Sequence, residues 1–185
     1  MVVHLSTKPR LDAGAWIDAA LDALAAEGQG AVRVEPLAKR LGVTKGSFYW
    51  HFRDRDDLLC RALANWQAAR IAAIREQASE TPDPKAALAA LLDLYARAPN
   101  PKGLAVELAI RALARNNAAA ADAVTQVDAE RLARVASLFA RAGLDADRAQ
   151  ARALLFYAFL FGQSLLGGKR QASRIAEAAR MVLAI

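Results

Sequence analysis

The chain has 185 residues, 55% of them apolar, with 25 Lys and Arg against 19 Asp and Glu, a net charge of +6 and a pI near 9.9. That length suits one domain or a domain with a small companion, and the excess of base admits polyanionic partners such as DNA, RNA or an anionic membrane. A single cysteine, Cys60, excludes an intramolecular disulfide framework and fits a reducing compartment. The longest apolar run, ALLFYAFLF at 153–161, is far short of the roughly 20 residues of a membrane span. Residues 1–15 hold no apolar stretch of signal-peptide length. A soluble cytoplasmic protein is expected.

The Ala-rich composition with few β-branched runs predicts an all-α chain. A first helix is expected over 11–27, where Ile17, Ala20, Leu21 and Leu24 recur at helical spacing and Gly28 and Gly30 stop it. A short second helix covers 35–41, with Pro36 tolerable in its first turn and Arg33 or Val34 at its cap. A third starts after Thr44 and ends near Phe52, and a long fourth runs 54–79 with Asp54, Asp56 and Asp57 in its first turn. Asp83–Pro84 and Asn100–Pro101 then open helices of 84–98 and 101–116. Helices of 119–142, 146–167 and 169–184 complete a count of nine, with no strand. Residues 1–53 read as one domain and 54–185 as a second.

The segment LGVTKGSFYWHF (41–52) carries the chemistry. Leu37 and Leu41 fall on one helix face, and Ala38 between them is small enough for a second helix to cross. Gly42 supplies the left-handed backbone of a tight turn, and Val43 and Phe48 return to the core. Those offsets are the pattern of a helix-turn-helix, whose second helix lies in the major groove of DNA. Phe48 faces inward, so Lys45, Ser47, Tyr49 and Trp50 cannot all pack beneath it. Lys45 suits a guanine acceptor or a phosphate, and the helix N-terminus at Thr44, with Gly46 beside it, suits a phosphate oxygen. Between residues 28 and 53 the cations Arg33, Lys39, Arg40, Lys45 and Arg53 meet Glu35 as the one anion. Plainer readings stand beside this: an aromatic core turn, a core histidine at His51, and a solvated face at Lys39 and Arg40.

The stretch AAEGQGAVRVEPLAKRLGVTKGSFYWHFRDRDDLL (25–59) resembles the DNA-binding domain of the TetR (tetracycline-repressor-like) transcriptional regulators. The resemblance spans roughly residues 10–60; beyond it only the number and order of helices agree. It implies an all-helical homodimer with three DNA-binding helices and six for dimerisation and ligand binding. At matching positions it implies that Thr44, Lys45, Tyr49 and His51 touch DNA, the last two chiefly at phosphates. Arg55 stands where the family often has a lysine that contacts the DNA backbone. The threonine usual at the second helix's cap is replaced by Arg33 or Val34, and Arg33 becomes the candidate phosphate contact there. The DNA-binding set is therefore Arg33, Lys39, Thr44, Lys45, Gly46, Ser47, Tyr49, Trp50, His51 and Arg55.

In the C-terminal part, the helix of 146–167 is apolar nearly all round, so it must be covered on several sides. Ala158 and Gly162 leave room for a second helix. A homodimer through the helices at 146–167 and 169–184 is expected, and it suits a motif whose reading helix needs a twin about 34 Å away on a near-palindromic operator. Trp66, Gln67, Tyr95, Glu107, Arg111, Phe139, Phe156 and Phe159 are candidates for a small-molecule effector pocket. Equally, the aromatics are core and Glu107 and Arg111 pair on a helix surface. Cys60 reads as a small buried filler. Enzyme readings lack a phosphate loop, metal-ligand spacing or a nucleophile elbow, and no cofactor or metal is expected. The reading is a ligand-released repressor; a helical module or a binder indifferent to DNA sequence is the alternative.

Overall fold

The computed structural model describes residues 12–76, 82–97, 101–165 and 172–184. Among them are nine α-helices and no strand: α1 Ala13–Glu27, α2 Val34–Leu41, α3 Lys45–Tyr49, α4 Arg55–Glu76, α5 Pro84–Arg97, α6 Pro101–Leu113, α7 Ala118–Arg141, α8 Ala146–Leu165 and α9 Ala172–Leu183. Their order follows the sequence expectation; the boundaries move where caps decide them. Asp12 accepts from the Ala15 N–H at 2.9 Å and so starts α1 at Ala13. Likewise Asp54 accepts from the Asp57 N–H at 2.8 Å, while Asp57 accepts from the Arg53 N–H at 3.0 Å, a reciprocal cap that starts α4 at Arg55. α6 ends at Leu113, three residues before the expected limit, because residues 114–116 tighten into a turn and Asn117 caps α7 through the Ala120 N–H at 2.9 Å. The expected end of α4 beyond Glu76, and those of α5 and α8, fall outside the described residues.

Two compact units are drawn from the chain. One takes the stretches Met1–Ala68 and Pro101–Val124, the other Ala69–Asn100 and Thr125–Ile185. In the first, α1 packs on α2 and α6, and α2 packs on α3. Its core is built on Trp16, fully buried and edge-on to Phe48 at 5.3 Å, with Leu24, Val32, Leu37, Phe52 and Leu58 also buried. Trp16 takes the central place in α1 that spacing assigns to Ile17 and Leu21, which are only half-buried. Lys102 on α6 pairs with Asp22 on α1 at 2.9 Å, and that carboxylate holds the ammonium above its ordinary range.

Cys60 corrects the sequence reading: it is exposed. Leu58, Leu59, Ala62 and Leu63 turn their face of α4 to the core, which leaves residues 60 and 61 on the outer face.

In the second unit, α5, α7 and α8 build a core around Leu88, Leu138, Phe139, Ala153 and Phe156, and Val182 and Leu183 of α9 pack against it. Phe139 and Phe156 meet edge to face at 6.4 Å. Arg131 is a buried cation on α7, 3.6 Å from Asp128 and within 6 Å of the Tyr157 and Phe161 rings, at 5.9 and 5.7 Å. From α8, Arg152 donates to the Met181 and Val182 carbonyls, both at 3.1 Å, satisfying acceptors at the end of α9. One face of α8 is thus core, while Leu154 and Leu155 stand 61% and 57% exposed, with Met181 of α9 exposed as well.

Candidate nucleic-acid interface

α2 is eight residues long and ends where Gly42 takes φ 67° and ψ 29°. The Gly42 N–H donates to Lys39 at 3.2 Å and the Val43 N–H to Ala38 at 3.0 Å, so the last carbonyls of α2 are used as the chain reverses. A side chain at position 42 would meet no neighbour but would be strained by the left-handed backbone. Val43 returns to the protein only half-buried, as does Leu41. Thr44 then adopts the extended backbone of an N-cap, φ −84° and ψ 157°, yet its side chain makes no capping bond.

α3 has five residues, too few to be stable alone, so it exists because Phe48 anchors it. Phe48 is wholly buried, edge-on to Trp16 and stacked on Phe52 at 5.3 Å. The Phe48 carbonyl accepts from both His51 at 2.9 Å and Phe52 at 3.0 Å, which ends the helix earlier than Phe52. This geometry turns Tyr49 and Trp50 outward, 63% and 75% exposed. Two large aromatic rings left in water beside basic side chains form a face that gains by meeting a partner. Lys45 and Gly46 are exposed with them, and Ser47 and His51 are half-buried. His51 is no core histidine.

Charge on this face is more restrained than the sequence count implies. Lys45 is ion-paired with Glu35 in the first turn of α2, and Lys45 holds the Glu35 carboxyl below the usual carboxylate range. Arg40 pairs with Glu27, 13 residues away, at 3.3 Å. Arg33, Lys39 and Arg53 are exposed. Arg55 is engaged differently: its Nε donates to the Val32 carbonyl at 2.6 Å and its Nη2 to that of Gln29 at 3.1 Å. Those carbonyls belong to a short 3-10 turn, Gln29–Ala31 and its cap, which periodicity does not reveal.

The proposed effector residues separate between the units. Trp66 is buried in the first unit and Gln67 half-buried. Also in that unit, Glu107 is 5% exposed and accepts from Arg111 Nη2 at 2.9 Å, so this pair is an internal feature of α6 rather than a surface one. In the second unit, Phe139 and Phe156 are core and Phe159 packs against that core. Tyr95 lies on α5, and its side chain is outside the described ones. Among the described residues no group of His, Cys, Asp and Glu is arranged to hold a metal, and no helix is long and apolar enough to cross a membrane.

Comparison with known proteins bears on the same segment. Two Pseudomonas putida proteins, the HTH-type transcriptional regulator SrpR and the uncharacterized HTH-type transcriptional regulator TtgW, are each 39% identical to this chain over 51 residues, 28% of its length. The chain spans only 24% and 38% of those two relatives. Over nearly the whole length the fold is shared with a transcriptional regulator from Rhodococcus sp. Rha1, TM-score 0.70 at 21% identity, covering 94% of this chain and 92% of that one. A regulator from Saccharomonospora viridis, solved with choline, gives 0.70 at 20% identity, covering 92% of each chain. FadR from Bacillus subtilis, solved with stearoyl-CoA, gives 0.63 at 18% identity, covering 93% of this chain and 96% of that one. The family model for bacterial regulatory proteins of the tetR family matches residues 17–62. The stretch that builds the Gly42 turn and the aromatic face beyond it lies wholly inside that match, so this segment of the chain is similar to the corresponding segment of tetR-family regulatory proteins.

Proposed function

We propose that this protein is a transcriptional repressor that binds a near-palindromic DNA operator as a homodimer and is released by a small-molecule inducer. The observation that carries the reading is the outward pair Tyr49 and Trp50 on a helix whose buried side is fixed by Phe48. In this reading Lys45 leaves Glu35 to meet a base edge, and Tyr49 and His51 hold phosphates. Thr44, whose side chain is not spent on its own helix, joins them with Gly46, Ser47 and Trp50, while Arg33 and Lys39 grip the flanking backbone. Residues 1–53 would form the DNA-binding part and 54–185 the part that dimerises and takes the effector.

The exposed Leu154 and Leu155 on α8 and Met181 on α9 support a dimer through those helices, because large apolar side chains gain most by mutual burial. Solved proteins of this fold hold choline in one case and stearoyl-CoA in another, which supports a small-molecule effector here. Around α6, Trp66, Gln67 and the Glu107–Arg111 pair are its proposed contacts. α4 is the proposed lever, and a coupling of about 1–3 kcal/mol between effector and DNA suffices for a useful switch.

The test is selection from a random duplex library, followed by affinity measured on the selected site and on a scrambled one across a salt series. A two-half-site winner bound far more tightly than scrambled duplex is expected. Equal, steeply salt-dependent binding to both would instead mark a protein that reads only phosphate.

A further inference from the structure

The helix-turn-helix is entered at Val32 and left at Arg55, and these two points touch. Arg55 opens α4. Its Nε donates to the carbonyl of the fully buried Val32 at 2.6 Å, and its Nη2 to that of Gln29 at 3.1 Å. The third guanidinium nitrogen lies 3.4 Å from Asp56 Oδ1. One planar fork therefore closes a loop between positions 26 apart in sequence, Gln29 and Arg55, that contains α2, the Gly42 turn and α3. The acceptors are backbone carbonyls of a short 3-10 turn, which α2 follows directly.

From this we propose that Arg55 is a positioning residue, a clasp at the neck of the helix-turn-helix that fixes the base of α2 to the first turn of α4 and acts on DNA recognition without touching the duplex. The inference rests on the DNA-binding reading above. A rigid arginine fork sends two spaced donors to two carbonyls three residues apart; a lysine has three donors on one nitrogen of a flexible stem and holds that pair less well. A phosphate contact, by contrast, is served by either side chain. The clasp also gives α4 a route to the recognition helix, because a turn of its first residues pulls on the segment from which α2 springs.

The experiment compares wild type, Arg55→Lys and Arg55→Gln on the selected operator and on scrambled duplex, over a salt series, with thermal melting of each variant. Both variants are expected to lose about tenfold in the operator-to-scrambled affinity ratio, the scale of one charge-assisted hydrogen bond. The salt slope and the scrambled-duplex affinity should stay at the wild-type values. A slope made shallower by about 0.9 for each phosphate lost, with recovery in the lysine variant, would overturn the clasp in favour of a direct contact. Equal losses on both duplexes that track a lowered melting temperature would reduce Arg55 to a stabilising residue and overturn it as well. Wild type that binds neither duplex at low salt would instead reject the DNA-binding reading itself, and the clasp with it.

Discussion

Phe48 and Tyr49 are chain neighbours with opposite roles, and separating those roles is the sharpest test of the recognition helix. Phe48 is wholly buried, with Trp16, Tyr49 and Phe52 rings at 5.3, 5.2 and 5.3 Å. Truncating such a side chain to alanine costs about 3–5 kcal/mol from lost transfer and the cavity left behind. A typical domain has about 5–15 kcal/mol in total, so Phe48→Ala should leave the first unit barely folded. Tyr49 is 63% exposed, and its one described ring contact is the edge against Phe48. Tyr49→Ala should therefore cost no more than about 1 kcal/mol. Its effect in the proposed reading belongs to DNA: weaker binding to operator and scrambled duplex alike, with the salt slope unchanged because the phenol carries no charge and releases no counterion. Urea denaturation followed by far-UV circular dichroism gives the stabilities, and fluorescence anisotropy of a labelled duplex gives the affinities. The reasoning is refuted if Phe48→Ala loses less than about 1 kcal/mol. It is refuted equally if Tyr49→Ala leaves DNA affinity where it was.

Three further outcomes are expected. Glu35→Gln releases Lys45 from its ion pair. Scrambled-duplex affinity should then rise and the operator-to-scrambled ratio fall, with a slope steeper by up to about 0.9 per protomer; an unchanged ratio would mean the pair does not restrain Lys45. The double substitution Leu154→Glu with Leu155→Glu places charge on the exposed face of α8 without touching its buried one, and sedimentation equilibrium should report a monomer. The Asp57 carboxyl is held below its ordinary range, first by the Arg53 N–H and then by the Arg61 guanidinium. Because the folded value is depressed, its stabilisation is complete above the unfolded carboxylate range and is lost as pH falls through the folded value. Asp57→Asn should therefore lower stability near neutrality and flatten the acid limb of a melting-temperature profile; a parallel profile would remove Asp57 from that limb.

What could be read before folding was what is local. Gly42, Leu37 and Phe48 lie within a dozen residues, and their spacing alone sets a turn, a buried face and, by elimination, an outward one. Interactions between distant positions were not legible. Nothing near Arg55 names the carbonyls of Gln29 and Val32, and nothing near Arg40 names Glu27, so a count of charges overstated the free base on this face. Trp16 does not stand out in the sequence because α1 is apolar on more than one stripe, and only packing against Phe48 chooses between them. Cys60 shows the limit of composition: a residue type that is usually buried lies on the outer side of a helix whose phase is set by Leu58, Leu59, Ala62 and Leu63. Aromatic content marks core as readily as cavity, and Phe139 and Phe156 sit in core.

The three tryptophans also divide the molecule optically. Trp16 and Trp66 are 0% and 5% exposed, whereas Trp50 is 75% exposed on the face proposed to meet DNA. Two indoles should emit as buried chromophores that a water-borne quencher such as iodide does not reach. The third should emit to the red and be quenched freely. A duplex laid over α3 would shield that third signal and leave the others unchanged, while an effector near Trp66 would do the reverse. The unlabelled protein thus carries separate reporters for its two proposed ligands, and the order in which they arrive and leave can be followed in one cuvette.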